Sequence, residues 1–521
     1  MRRVLTKYLR LPSSGRSEAG ALLSRRPALV GGLLLVLMLL TGLGWAVSSP
    51  VESSPDDNYH LGSIWCPRPS GDSCQTSVVD GDPVVRVPIA VADESMRCYV
   101  LQSNKSAGCA LGYDDSHMVW SKRFDNGAYP IGYYHFHHLL VGKDVQTSVL
   151  VMRGVNVLIA VAVLGAVGLC APHGLRRPFI GAIVASWVPM GVYFIASNNP
   201  SSWAVSGLMA YSSATYMATQ QKGRRRIALV LCAVIGAVMC LTSRYDAAFF
   251  LLVVGLALLF VVPWKRGGWI GLSALAGVAV LGGVTFMASS QVSKVAYFLR
   301  VFEASDPATS ADKQPFFEKL LVGLETAPKY LGGFWGHTWT PGWHDVPLGA
   351  RAPYVLTIMA AGAFVAISLR RGGWRKWTAL MILVGSMCLL PALFYANGAM
   401  DTIELYQARY IFPLLAPTFF LMLAVDQDED AWFTVPQAVW VTVCISLCQT
   451  ITLHTLLLRF VQGANERWEL NLNKNIEWWW SVPVSPMMVW FLTTCVATAA
   501  VGVAMAMLTR SPQGQEEPQE S

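Results

Sequence analysis

The stretch PALVGGLLLVLMLLTGLGWAVSSPVESSPDDNYHL, residues 27–61, sets the terms for the whole chain. Its first part, Pro27 to Val47, carries no charge. It is long enough to cross a hydrocarbon core of about 30 Å as a helix. It also exceeds the h-region of a signal peptide, about 7–15 residues, so it reads as a retained anchor. A few residues further on, SPDDNYHL sets Asp56, Asp57 and His60 at the membrane edge. Carboxylates in that position are costly to desolvate. They are therefore the first candidates for chemistry.

The same apolar character extends along the chain. Of 521 residues, 54% are hydrophobic and 14% charged, and the mean hydropathy is +0.43. A soluble globular chain carries about 25% charged residues. Twelve apolar runs stand out, at 27–48, 150–171, 178–197, 203–219, 227–242, 246–263, 268–290, 352–370, 377–397, 408–425, 432–457 and 483–508. The fourth and fifth are short. Only helices and closed barrels satisfy their backbone within lipid. The fold class read from this pattern is an all-α polytopic membrane protein of about twelve transmembrane helices.

Lys and Arg set the expected orientation. With the N-terminus inside, the short inside pieces are 1–26, HGLRRP, QQKGRRR, WKRGG, LRRGGWRK, DQDED and the tail from Thr509. They hold 20 of the 39 Lys and Arg. Both termini are expected in the cytoplasm of a bacterial plasma membrane. The net charge of +7 is then a topology signal, and no nucleic-acid partner is implied.

The division that follows is a basic cytoplasmic N-terminus (1–26), the first span (27–48) and an extracytoplasmic cap with the acidic motif (49–149). Spans two to seven (150–290), an extracytoplasmic aromatic loop (291–351), spans eight to twelve (352–508) and a disordered tail (509–521) complete it. The cap is expected to be small, with short helices. It holds Cys66, Cys74, Cys98 and Cys109, an even set in an exported loop. That reads as two disulfides with three possible connectivities. No CxxC pair is present to favour zinc. The aromatic loop opens with a helical stretch, QVSKVAYFLRVFEA. Three consecutive tryptophans in EWWWSVP read as an interfacial anchor.

The inside loops, about 5–8 residues long, exclude a cytoplasmic nucleotide-binding domain, and there is no GxxxxGK[ST]. Any chemistry belongs at the outer face, where a donor must be carried by lipid. A carboxylate there can take a proton from an attacking hydroxyl. Phosphate leaves as a stable anion, so no general acid is needed. Asp57 is the first choice for base, with Asp56 or His60 in support. Arg244 in CLTSRYDAAFF and Arg409 in ELYQARYIFPLLAP lie outside, against the positive-inside trend, and suit a donor phosphate. Pairing with Asp246 and Glu404 is the alternative.

Tyr133, His135, His137 and His138 in NGAYPIGYYHFHHLL form an aromatic-histidine belt without an HExxH metal pattern. Asn198 and Asn199 mark an outer turn that can reach sugar hydroxyls. His337, Trp343, His344 and Asp345 in the aromatic loop suit sugar faces or lipid headgroups. Gln407 and Tyr410 flank Arg409 and are candidates for substrate contact.

SPDDNYH, YPIGYYH, VPMGVYFIASNNP, SRYDA, GHTWTPGWHDVPLG and YQARYIFPLLAP occur in this order over residues 27–425. In this the chain resembles the bacterial predicted-membrane-protein family numbered 2142 among domains of unknown function. It has Asp-Asp where the family has Asp-Glu, Ala408 in place of Gly, and Asn-Pro at 199–200 where Asp is common. That family is similar in layout to the GT-C class of polyprenyl-phosphate-sugar glycosyltransferases. The similarity implies a GT-C-like bundle with Asp56 and Asp57 as the acidic motif.

The expected activity is transfer of a sugar from a polyprenyl-phosphate donor to a cell-envelope glycan or glycolipid acceptor. Membrane lipid is the surrounding partner. Two adjacent carboxylates also permit a divalent cation, although no metal ligand set is assigned. The rivals are a transporter or flippase for an envelope precursor and a non-catalytic assembly protein. Coupled carriers place ionisable residues near the midplane. The runs show almost none, His454 being the main exception.

Overall fold

The computed structural model describes residues 27–71, 74–92, 96–287, 316–336, 338–348, 352–398, 400, 402–426, 432–464 and 469–509. The basic segment 1–26, QVSKVAYFLRVFEA, His337, residues 427–430 of DQDED and the tail from 510 lie outside the described residues.

The chain is mostly helical. The first span is α1 (Pro27–Ala46), whose end is closed by the Ser48 hydroxyl donating to Trp45 O at 2.6 Å. The helix α2 (Asp57–Trp65) follows at once. A small antiparallel sheet comes next, of β1 (Thr76–Val79), β2 (Asp82–Pro88) and β3 (Met118–Ser121) in that spatial order. The sheet register pairs Thr76 with Val85 and Arg86 with Trp120. A short helix α3 (Gly132–His138) then leads into α4 (Val145–Cys170), capped by Asp144 accepting from Thr147 N at 2.6 Å. The cap therefore contains a three-stranded sheet, beyond the short helices anticipated. Its strands are only four to seven residues long, too short for a clear alternating pattern. The cysteines resolve to Cys66–Cys74 and Cys98–Cys109, one of the three connectivities.

The remaining helices are α5 (His173–Ser186), α6 (Pro189–Ile195), α7 (Ser201–Ala218), α8 (Gly223–Ser243), α9 (Tyr245–Val261) and α10 (Trp264–Met287). After them come α11 (Phe316–Glu325), α12 (Ala327–Gly333), α13 (Ala352–Ser368), α14 (Trp374–Ala396), α15 (Leu415–Ala424), α16 (Val435–Val461) and α17 (Pro486–Met507). In the bundle α1 packs on α4 and α17, α16 on α13 and α17, α5 on α15, and α7 on α4 and α8.

Each apolar run is mainly helical over its described residues, but twelve full spans are not reached among them. Seven helices are long and apolar enough to cross a membrane, or eight with α5 and α6 counted as one bent span. The bend between those two is 90°. Pro189 opens α6, and the residue before a proline avoids helical geometry. Helices α9, α13 and the α15 segment are shorter.

The fourth run, one of the two short ones, is the innermost helix. All eighteen residues of α7 are buried. Protein surrounds it, so lipid does not select its composition. Ser202, Ser206, Ser212, Ser213 and Thr215 are accommodated there, several by donating to carbonyls three or four residues back. Its partner α8 can approach because glycine faces glycine. A Cβ placed on Gly207 would meet Gly236 O at 2.7 Å, and one on Gly236 would meet Gly207 O at 2.5 Å.

The tryptophan triplet departs from the expected interfacial anchor. Trp478 and Trp480 are buried, and the Trp480 indole donates to Val47 O at 2.9 Å. They wedge the loop before α17 against the end of α1.

A β-branched side chain at Gly236 must push two buried backbones apart. Gly236→Val is expected to abolish the monodisperse detergent-solubilised protein, whereas Gly31→Ala, in open space, should leave it intact. Size-exclusion profiles and thermal unfolding of the two variants check this.

Candidate functional site at the cap end of the bundle

The acidic doublet does not act as a unit. Asp56 adopts φ 65°, the left-handed region that Asp enters more readily than most residues. This turn sends its neighbour the opposite way. Asp57 begins α2 and is fully buried, with Ser54 N donating to its Oδ2 at 3.2 Å and Arg153 at 3.8 Å. Burial pushes the Asp57 carboxyl up to about 7, against the pull of Arg153 and the Ser54 amide. The Asp56 side chain remains 32% exposed and binds Arg409 Nη2 at 2.6 Å, a link between residues 353 apart. Burial raises the Asp56 carboxyl, but Arg409 and Arg123 outweigh that and hold it at about 2.

Arg409 lies in a 3-10 turn before α15, with its side chain 2% exposed. Its Nη1 donates to Pro55 O at 3.2 Å, and its Nε donates to Gln407 Oε1. The same Gln407 oxygen lies 3.0 Å from His344 Nε2, and His344 Nδ1 lies 3.0 Å from Thr340 O. The Tyr410 ring has Arg409 over it at 4.9 Å and Arg244 at 5.6 Å. Arg244, between α8 and α9, forms a two-pronged pair with Asp246 at 2.8 and 2.6 Å and donates to Ser201 Oγ at 3.1 Å. It also lies over Tyr129 at 5.8 Å.

Tyr129 packs edge-on against His60 at 5.1 Å. The His60 Nδ1 lies 3.0 Å from the Tyr134 hydroxyl, and burial lowers its imidazole to about 3, leaving it neutral. Asn199 supports the wall by donating to Pro55 O at 3.0 Å. The structure thus brings Asp56, His60, Arg244, Gln407, Arg409, Tyr410, His344 and Asn199 to one place.

Other sequence candidates lie elsewhere. Tyr133 is buried between His137 and Trp203 and accepts from Asn156 Nδ2 at 3.1 Å. His135 Nε2 sits 2.7 Å from Arg68 O, and His138 Nδ1 sits 2.9 Å from Ile64 O, so these histidines brace separate backbone segments. Asn198 is wholly buried and its amide has no hydrogen-bond partner among the described residues. Trp343 donates to Glu52 O at 2.8 Å. Asp345 is taken up by Arg459 at 2.6 Å and by Leu101 N at 3.1 Å, which leaves it no exposed role. Among the described residues no three His, Cys, Asp or Glu come together to hold a metal ion.

The sequence reading missed three contributors. Arg153 is an ionisable residue inside the second run, a signal that was available. Its Nη1 donates to Ala46 O and Ser49 O at 3.1 and 2.6 Å, and its Nη2 to Pro50 O at 2.7 Å. Arg123 lies 3.8 Å from Asp56 and over the Tyr59 ring at 5.6 Å. Asp125 accepts from Arg68, the Tyr59 hydroxyl and the amides of Ala128 and Tyr129, which fixes the loop carrying Tyr129. In the sequence these residues sit among polar cap residues with no spacing to mark them.

The titrations of Asp57 and His60 pull stability in opposite directions. Folded Asp57 keeps its proton between 3.8 and about 7, where the unfolded chain has lost it, so its contribution falls as pH rises through that window. Folded His60 stays neutral between about 3 and 6.5, where the unfolded chain binds a proton, so its contribution rises with pH. Relative to wild type, Asp57→Asn is expected to gain stability from pH 4 to 7, and His60→Gln to lose it. The limiting slope is about 1.4 kcal/mol per pH unit. Thermal unfolding across that range reads both, and parallel curves for all three proteins would refute the assignment.

Residues 39–418 match the family described as "Predicted membrane protein (DUF2142)", a stretch that contains every residue of this cluster. No curated protein and no solved structure matches the chain. With most of its length matched, including both arginines and the acidic doublet, the chain belongs to this family of predicted membrane proteins.

Proposed function

We propose that this protein transfers a sugar from a polyprenyl-phosphate donor to a cell-envelope glycan or glycolipid, at the outer face of a bacterial plasma membrane with both termini cytoplasmic. The observation that carries this reading is the pair of buried arginines, Arg244 and Arg409, both within about 6 Å of the centre of the Tyr410 ring. Guanidinium groups suit phosphate oxygens. They lie at the end of the bundle where the cap begins, where a lipid headgroup would sit.

Asp56 takes the base role in this reading in place of Asp57. Asp57 is sealed behind Arg153, whereas Asp56 reaches solvent. A donor phosphate competes with Asp56 for Arg409. Once displaced, the Asp56 carboxylate loses the partner that lowers its pKa most and becomes more basic. It then accepts the proton of the acceptor hydroxyl while that oxygen bonds to the anomeric carbon. The bond from that carbon to the phosphate oxygen breaks, and polyprenyl phosphate leaves with the electron pair. Attack opposite the leaving group inverts the anomeric centre. No group of three or more metal-ligating side chains gathers among the described residues, and no step is routed through a divalent cation.

A transport reading draws on a different feature. The bent pair α5–α6 lines an apolar crevice of about 90 Å³ with Leu34, Met38, Val157, Val161 and the buried Gln449. Broken helices beside a cavity are a hallmark of carriers. Moving labelled polyprenyl-phosphate sugar across proteoliposomes without transfer would favour that reading.

The deciding experiment incubates purified protein with a panel of radiolabelled polyprenyl-phosphate sugars and envelope fragments. Asp56→Asn is expected to lower transfer by 100-fold or more while retaining donor binding. Arg409→Gln is expected to weaken donor binding by about tenfold or more. Transfer that survives Asp56→Asn sinks the base assignment, and no donor binding by folded wild type sinks the transferase reading.

A further inference from the structure

Away from the arginines, the crevice inside the bundle carries polar groups that the protein does not satisfy. It lies among α1, α4, the bent pair α5–α6, α16 and α17. No charged residue lines it, and most of its wall is aliphatic. It follows α1 from Leu34 to Gly42, about 12 Å at 1.5 Å per residue. Ala497, Ala500 and Ala504 line it from α17, three and four residues apart and so on one helix face. A long, narrow space with small side chains along one wall has the shape of a hydrocarbon chain.

Three polar side chains reach this crevice, Thr41, Trp187 and Gln449. Thr41 is satisfied, its hydroxyl donating to Leu37 O at 2.8 Å. The other two are not. Gln449 sits near the middle of α16 and is 6% exposed. Its Nε2 reaches Trp187 O at 3.5 Å, and its Oε1 has no hydrogen-bond partner among the described residues. Trp187 stands at the 90° break between α5 and α6. Its indole N–H is buried, again without a partner among the described residues. An acceptor and a donor thus belong to a wall that is otherwise hydrocarbon, at a depth where lipid tails offer neither.

We infer that this crevice is a binding site for a lipid chain that carries a hydroxyl group part-way along its length. A hydroxyl answers both demands, because its proton goes to Gln449 Oε1 and its oxygen accepts from the Trp187 indole. A plain acyl chain fills the same space and leaves both atoms unmatched. A charged group is refused, since nothing in the wall pairs with it. The hydroxyl must lie well away from the head group, which stays at the membrane surface while Gln449 sits mid-span. No residue lining the crevice belongs to the arginine cluster, so this site stands whether or not that cluster transfers sugar.

The test compares equilibrium binding of two phospholipids by the full chain in detergent. One is distearoyl phosphatidylglycerol, and the other has a mid-chain hydroxystearoyl group in place of one stearoyl group. Wild type is expected to bind the hydroxylated lipid about tenfold more tightly. Gln449→Leu and Trp187→Phe each remove one hydrogen-bonding group and little volume. Each should lose most of that preference while still binding the plain lipid, a change of ratio that a merely structural role would not produce. Ala500→Leu adds bulk to the crevice and should weaken both lipids by about tenfold or more. Equal affinity of folded wild type for the two lipids means that water or nothing meets Gln449, and it overturns the inference. So does a preference that survives both Gln449→Leu and Trp187→Phe, undiminished binding by Ala500→Leu, or no binding of either lipid by folded wild type.

Discussion

A guanidinium buried at the end of a membrane bundle must find acceptors for its N–H groups, because little water reaches it. Three arginines impose that demand here, and the cap is built around meeting it. Arg153 collects the carbonyls of Ala46, Ser49 and Pro50. Arg459 collects those of Tyr99 and Lys105 together with the Asp345 carboxylate. Arg409 takes the Pro55 carbonyl and Asp56. Each gathers backbone that follows α1 and fixes it to a distant helix. Losing Arg153 alone would take a donor from three buried carbonyls, a larger cost than a missing surface ion pair.

The stitching explains why the loop after α1 has an unusual backbone. Glu52 and Asp56 both have positive φ, at 61° and 65°. Such conformations persist only where the surroundings over-determine them. Here Arg153 grips the chain before Glu52, the Trp343 indole takes the Glu52 carbonyl, and Tyr193 donates to Ser53 O at 3.1 Å. With both ends held, the left-handed turn at Asp56 separates two adjacent acids into an inner and an outer carboxylate.

That separation marks the limit of what the sequence shows. Apolar runs, the four cap cysteines and the two arginines at the cap end of the bundle were all legible, because each follows from a property counted along the chain. The fourth run read as short because an apolar run measures fitness for lipid, and α7 touches protein on every side. The bend between α5 and α6 hid inside one continuous apolar run, although Pro189 was in plain view. Within the site, DD read as one motif because composition carries no sign of a backbone angle. Arg123 and Asp125 gave no signal at all, since a cap loop of mixed polar residues offers no period from which to read a face. Arg153 was visible as a charge in a run, and its value lay in carbonyls that only the fold brings near.

The resting arrangement of the site is itself an argument about how it is used. Both inner arginines are masked, each by a carboxylate that is about a third exposed. Binding an anion is therefore an exchange of partners and not the filling of an empty hole. The guanidinium stays paired throughout, so the cost of an unmatched buried charge is avoided both with and without ligand. The cost of exchange is borne by the outgoing carboxylate, which moves into water where its charge is well solvated. Such a site discriminates against weak anions, which cannot displace a carboxylate already at 2.6 Å. It also couples occupancy to basicity, because the carboxylate that leaves is freed at the moment an anion arrives. Under the proposed transferase reading, a base generated only by the presence of its substrate would protect the lipid-linked sugar from attack before it is seated.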